Sequence, residues 1–249
     1  MERFRPLKTS QALSTLTSPG MPRRLHVLLL LVVVGTSSAC TSFGSVRSAE
    51  VHTGPSLTLQ GSISTPPGDG AAWFWSFDCA SECDRAIGGF DAALAIGKPG
   101  RTPFAVGAGL NGFEYPYLEG YVQMGSGESP YGVGARLGVP VTSWVQHQIY
   151  GRYDVRLANG RRLLLNPGLF YHGGNSPNGE NPGHFLAFVQ GVGVLLEGER
   201  TSVVPALSVV AGRGEREGFG GEDGPFTSIF ATASVSISWH RRRAPTPPP

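Results

Sequence analysis

From about residue 87 to residue 240 the chain alternates apolar and polar positions, and clusters of Gly, Pro, Asn and acidic residues interrupt the alternation at short intervals. A period of two marks pleated strands, because successive side chains leave opposite faces. The interruptions predict strands near 87–97, 102–110, 116–125, 131–139, 144–157, 161–172, 184–197, 201–213 and 226–240. Asn159-Gly160 is a hairpin signal, since both residue types tolerate positive φ, and strands joined by such a turn pair antiparallel. No stretch carries a sustained helical period, and segments 173–183 and 214–225 read as longer exposed connections.

The two faces of each strand differ in kind. Between 131 and 139 one face carries Tyr131, Val133, Ala135, Leu137 and Val139, and the other Gly132, Gly134, Arg136 and Gly138. Ile149, Tyr153, Val155 and Leu157 oppose Gln148, Arg152, Asp154 and Arg156. The last strand sets Ile229, Ala231, Ala233, Val235, Ile237 and Trp239 against Thr232, Ser234, Ser236 and Ser238. Such a pattern has two opposite solutions. A soluble lipocalin-like barrel turns the apolar face inward to bind an apolar ligand, whereas a transmembrane barrel turns it to lipid. The polar faces mix Gly and Ser with Arg, Gln, Glu and Asp, and Lys98 is the only lysine after residue 40. A narrow lumen, where long side chains must fit among small ones and charges must pair, explains that mixture better than a wet exterior does. Strand lengths of roughly 9 to 11 residues fit a bilayer. Tyr117, Tyr131, Trp144, Phe185, Phe226 and Trp239 near strand ends would form its aromatic girdle. The fold class is therefore an all-β, antiparallel up-and-down barrel. An even strand count closes such a barrel, so either Leu57 to Ile63 is a tenth strand or two segments merge to leave eight.

Upstream, Arg23 and Arg24 precede an apolar run from Val27 to Val34 and then small residues up to Cys40. That order is a secretory signal too short to span a bilayer permanently, and Met21 is an alternative start. Ser37-Ser38-Ala39-Cys40 resembles the lipobox of bacterial lipoproteins. The resemblance implies acylation of Cys40, which would become the mature N-terminus, and Thr41 after it implies the outer membrane as destination. Ser37 and Ala39 also satisfy ordinary signal peptidase. Cys79 and Cys83 can pair as a disulfide in an oxidising envelope, leaving Cys40 as the odd cysteine. By the same route 87–240 resembles small bacterial outer-membrane β-barrels. The organisation is a leader and signal over 1–39, a Ser-, Thr-, Gly- and Pro-rich tether over 40–70, a barrel domain over 71–240, and a basic Pro-rich tail over 241–249.

Composition narrows the chemistry. Thirty-six Gly and 20 Pro with 15% charged residues disfavour a helical bundle. The formal charge of +2 arises in the leader, since Arg3, Arg5, Lys8, Arg23 and Arg24 face only Glu2 there. The remainder carries 15 basic and 17 acidic residues without a basic patch, which argues against nucleic-acid binding. Trp73, Phe74, Trp75 and Phe77 precede Asp78, Cys79, Glu82, Cys83 and Asp84 and read as a plug or closing strand before a pinned loop. No second Cys or His pair completes a metal site, and no cofactor motif is present. Gly107-Ala108-Gly109 and Gly191-Val192-Gly193 lie inside strands and serve close packing. His172, Ser176 and Glu180 are the nearest approach to a hydrolytic set, and they read as a polar loop. Glu119, Arg136, Arg152, Asp154 and Arg156 form the expected lumen network, either structural or selective for a small anion. The expectation is an outer-membrane lipoprotein barrel with a structural, adhesive or narrow-pore role and no catalysis. Its expected partners are membrane lipid, through acylated Cys40, and an envelope protein or small apolar ligand.

Overall fold

The structure, a computed structural model, describes residues 40–41, 45–65, 87–112, 115–125, 129–141, 144–174, 183–198, 200–216 and 224–240. The export signal, the Trp73 to Phe77 cluster, Cys79, Cys83 and the tail from 241 lie outside the described residues, as does the side chain of Cys40.

A two-residue strand β1 (Cys40–Thr41) precedes β2 (Gly54–Ser64), β3 (Ile87–Lys98), β4 (Phe104–Asn111), β5 (Tyr115–Gln123) and β6 (Tyr131–Gly138). β7 (Trp144–Arg156), β8 (Arg162–Gly174), β9 (His184–Glu197), β10 (Thr201–Arg216) and β11 (Gly224–His240) follow. Strands β2 to β11 each pair antiparallel with their sequence neighbours, and β11 pairs with β2, which closes a ten-stranded up-and-down barrel. Strands β2 to β11 leave no open edge, since each finds both hydrogen-bonding partners inside the barrel, while β1 pairs with β3 alone.

Leu57 to Ile63 thus belongs to the strand that closes the sheet, and the barrel begins before residue 71. The Ser- and Thr-rich composition read as a tether is what an inward polar face needs. Ser64 pairs with Thr232 and Thr58 with Ser238, each at 2.8 Å, along the β2–β11 seam inside the lumen. The Asn159-Gly160 turn is longer than a two-residue hairpin. Gly160 alone takes positive φ, at 78°, and Leu157 and Arg161 close the loop through the Leu157 N–H to Arg161 carbonyl bond. Asn159 instead accepts the Arg161 N–H at its side-chain oxygen, 3.0 Å away.

Orientation is unambiguous. Ile149, Leu207 and Ile229 are 66%, 67% and 69% exposed on the outside, while Asp91 and Asp154 are fully buried and Arg136 is 5% exposed inside. Ile237 shares the outward register of β11 yet is buried. Three of the aromatics expected in a girdle point into the lumen instead: Tyr117 and Phe185 are buried there, and Phe226 packs on the inner apolar cluster of Phe170, Phe185, Ala187, Val189, Val210 and Phe230. Position near a strand end does not set the face; parity along the strand does. Tyr131 and Trp239 face outward as expected, and the side chain of Trp144 lies outside the described residues.

Inward glycines make room for inward rings. A Cβ on Gly132 would strike the Tyr121 ring and one on Gly134 the Tyr150 ring, whereas one on Gly120, facing out, meets nothing within 4 Å. Gly134→Ala is therefore expected to lower the chemical-unfolding midpoint by about 1–3 kcal/mol of stability. Gly120→Ala should leave it unchanged or slightly raised, and equal effects would contradict this packing.

Candidate functional site

The lumen is occupied by the chain itself. Residues 45–53 run through it ahead of β2, with Val46 and Ala49 fully buried. Such a segment must satisfy its backbone groups against the wall, because little water reaches them. The Arg47 N–H donates to Asn166 Oδ1 at 2.7 Å, the Ala49 N–H to Asp154 Oδ1 at 2.8 Å, and the Val51 N–H to Gln123 Oε1 at 2.9 Å. The Tyr121 hydroxyl donates to the Ala49 carbonyl at 2.8 Å. Side chains add the Ser48 hydroxyl on Asp154 and an ion pair of Glu50 with Arg162 at 2.7 Å. Val46 completes an apolar cluster with Leu164, Leu195, Val204 and Ala206. Gly191 and Gly193 leave the space for it, since a Cβ on Gly191 would lie 2.5 Å from the Val46 side chain. The glycine pair of β9 thus serves close packing.

Arg47 carries the plug into a buried charge cluster. Its guanidinium spans Asp91 Oδ1 at 3.0 Å and Glu119 Oε2 at 3.1 Å. Arg136 meets Asp91 Oδ2 at 2.8 Å, and Arg152 meets Glu119 Oε1 at 2.6 Å. Tyr117 donates to Asp91 at 2.9 Å, and Tyr150 makes a short hydrogen bond to Glu119. Three guanidinium groups therefore face two carboxylates. Aromatic faces take up part of the surplus: Arg136 lies 4.7 Å from the Tyr117 centroid, and Arg152 lies 4.4 Å from Tyr121 and 4.7 Å from Tyr150.

Of the expected network, Glu119, Arg136 and Arg152 converge in this cluster. Asp154 sits apart, bonded to the plug at Ser48 and Ala49, with Arg162 at 3.8 Å. Arg156 lies exposed at the end of β7 and is not part of the cluster, because the inward register runs out of lumen there. Asp91 and Arg47 were missed. Asp91 had a readable signal, as a lone acid within the apolar run of β3; Arg47 had none, lying in a segment of linker composition. His172 is buried and bonded to Gln146 at 3.2 Å, which in turn bonds Asn111 at 2.8 Å, whereas Ser176 and Glu180 lie outside the described residues. Among the described residues no group of His, Cys, Asp and Glu has the arrangement of a metal site. One recess beside the plug, of about 80 Å³, is lined in part by Arg47, Glu50, Ser202 and Ser238. That recess has room for a few waters.

The fold and lumen define a class: a closed ten-stranded barrel, apolar outside, with buried charges, hydroxyls and two apolar clusters inside, and entered by the segment that precedes its first wall strand. No protein-family model matches the chain, and no curated protein matches it in sequence. Among solved structures it is similar to a chain described as "Bacterial polysaccharide outer membrane secretin", with a TM-score of 0.34 and 9% identity, over 78% of this chain and 100% of that one. A likeness at that level adds nothing to the topology above.

The charge count makes an asymmetric prediction. Arg47→Ala leaves two arginines against two carboxylates, whereas Glu119→Ala leaves three against one. Glu119→Ala should cost about 3–5 kcal/mol, the penalty of stranding buried charge, and Arg47→Ala clearly less. Urea unfolding of the two variants measures the difference, and the reverse order would refute the cluster as drawn.

Proposed function

We propose that this chain is an outer-membrane β-barrel lipoprotein with a structural or adhesive role and no catalytic step. The single observation that carries the reading is the inverted burial: the large aliphatic side chains Leu94, Leu118, Val133, Ile149, Leu169, Leu186 and Leu207 are exposed around the wall, while the carboxylates and guanidiniums of the cluster are enclosed. A band of that kind around a whole barrel is stable against acyl chains and would drive association in water. The lipocalin-like alternative needs those faces turned inward around an open cavity. Here Val133 and Ile149 point out, and residues 45–53 fill the interior. The same filling argues against an open pore. What remains for function is the surface the barrel presents at its ends and the acyl group that the lipobox would place on Cys40.

Two measurements test this. Ile149→Arg and Leu207→Arg lie mid-strand and should each cost about 2–4 kcal/mol when folding is followed into lipid vesicles. On the surface of a soluble barrel the same changes would fall within about 0.5 kcal/mol. Wild-type protein should migrate differently on gels before and after heating and should require detergent. A chain that stays folded and monomeric in plain buffer sinks the membrane reading. Mass spectrometry of the mature N-terminal peptide should find Cys40 acylated, and an unmodified cysteine removes the anchor alone.

A further inference from the structure

One rim of the barrel differs from the rest of its outer surface. At this rim the connections 99–103, 124–130, 157–161 and 198–200 join successive strands, β2 starts and β11 ends, whereas the opposite rim carries longer connections at 65–86 and 175–183. Outward side chains remain apolar up to the short-turn rim, as at Ile96 and Leu196, and there aromatic rings appear among them. Phe104 at the start of β4, Tyr131 at the start of β6, Tyr153 near the end of β7 and Trp239 near the end of β11 are all exposed. Tyr131 and Tyr153 are cross-strand partners with ring centroids 6.4 Å apart. Tyrosine and tryptophan collect at the depth of lipid headgroups, so this belt marks where the acyl region ends. Cations stand immediately beyond it. Lys98 lies opposite Phe104 in the β3–β4 ladder, Arg101 and Arg161 lie in turns, Arg156 ends β7 and Arg200 precedes β10, and all are exposed. They come from three of the four short connections and their flanks, so they surround the rim instead of crowding one side. Among the described residues the exposed acid here is Glu197, while Glu50 is taken by Arg162 at 2.7 Å. Glu128 and Glu199 belong to the same turns outside the described residues, and with them counted the cations still prevail. At the opposite rim the exposed charges among the described residues are Arg213 and Glu215, one of each sign.

We propose that the short-turn rim is a binding collar for the headgroups of anionic phospholipids and gives the barrel a preference for them over zwitterionic lipid. The inference rests on the membrane reading above and deepens it by naming the lipid. Lysine and arginine lay their methylene stems along apolar surface and lift their charged ends to the level of the phosphates. There a guanidinium or ammonium donates charge-assisted hydrogen bonds to phosphate oxygens. A zwitterionic headgroup brings its own cation to that phosphate and offers the rim no net charge. An anionic headgroup leaves its charge to the protein, and the attraction adds up over the cations around the rim. In outer-membrane barrels the short-turn end faces the periplasm, so the collar lies in the periplasmic leaflet.

The test uses the full chain folded into phosphatidylcholine vesicles that carry a trace of spin-labelled phosphatidylglycerol or spin-labelled phosphatidylcholine. Electron spin resonance reads the motionally restricted fraction of each label. Wild-type protein should hold phosphatidylglycerol several-fold more strongly than phosphatidylcholine in low salt. That preference should shrink in molar salt, where charges are screened beyond about 3 Å. The variant Lys98→Gln/Arg101→Gln/Arg161→Gln/Arg200→Gln should lose most of it, while Arg213→Gln at the opposite rim should keep it. The arginines that follow His240 stay in every variant, so the difference reports the rim alone. Gel migration before and after heating checks that each variant has folded. Should the quadruple variant not fold, Lys98→Gln/Arg101→Gln and Arg161→Gln/Arg200→Gln are read separately, and each should lower the preference. A folded wild-type barrel that restricts both labels equally overturns the collar, as does a preference that survives the substitutions. A chain that does not insert into vesicles and stays folded and monomeric in plain buffer overturns the membrane reading instead, and this inference with it.

Discussion

A barrel that turns its aliphatic faces outward must place its charges inside, and there they can be held only by one another. Asp91 and Glu119 are the pivot of this arrangement. Each carboxylate is shared by guanidiniums from different parts of the chain: Arg136 from β6, Arg152 from β7 and Arg47 from the plug. Buried ion pairs of this kind are poor sources of net stability, because desolvation offsets most of the Coulomb attraction. They are effective at penalising alternatives. Shifting the plug would take the Arg47 guanidinium from Asp91 and Glu119, which keep Arg136 and Arg152, and would leave the Asn166 and Asp154 oxygens without the backbone N–H groups they now accept. The cluster thereby fixes the position of a segment that has only a small apolar anchor, Val46, of its own.

Tyrosines make the cluster compact. Tyr117, Tyr121 and Tyr150 donate hydroxyls to carboxylates or the plug backbone and offer their faces to Arg136 and Arg152. A ring of that size fits in a ten-stranded lumen only if its neighbours across the ladder are small. Gly132 lies in the strand facing Tyr121 and Gly134 in strand pairing with Tyr150, so sterics in the sheet and electrostatics in the lumen are solved by the same alternation of small and large residues. The opposite side of the lumen is simpler, with hydroxyls of β2 and β11 bonded across their seam and an apolar cluster from β8 to β11 beside them.

Strand periodicity was legible because it is local. Parity alone assigned Arg136 and Arg152 to one face and Val133 and Ile149 to the other, and the Gly- and Ser-rich polar face with scarce lysine told which face is enclosed. What was not legible depends on contacts far apart in the chain. Residues 45–53 have the Ser-, Ala- and Val-containing composition of a linker, and only the distant Asp154, Asn166 and Gln123 give their backbone amides a place in the lumen. Tyr117 and Phe185 show the complementary limit: near a strand end an aromatic ring suits an interfacial girdle, but one step of parity sends it to the lumen. Arg156 shares parity with Arg152 and still stands outside the network, because depth along the barrel, which no sequence pattern encodes, decides whether an inward residue is enclosed.

The plug also constrains how the barrel can close. It is joined directly to β2, and β2 forms the final seam with β11. A segment covalently tied to one side of that seam turns at Gly54 from the lumen into the wall, so the inner face of the seam has to leave room for it. The seam is suited to that. Its inward residues are Thr58, Gln60, Ser62 and Ser64 on β2 and Thr232, Ser234, Ser236 and Ser238 on β11, all short but for Gln60, and Ser236 lies within 3.5 Å of the Val46 carbonyl and bonds Gln60 at 2.9 Å. Small hydroxyls can pair across the ladder while leaving clearance for the plug, which bulkier or charged residues could not. The composition of the first and last strands is thus accounted for by the segment they enclose.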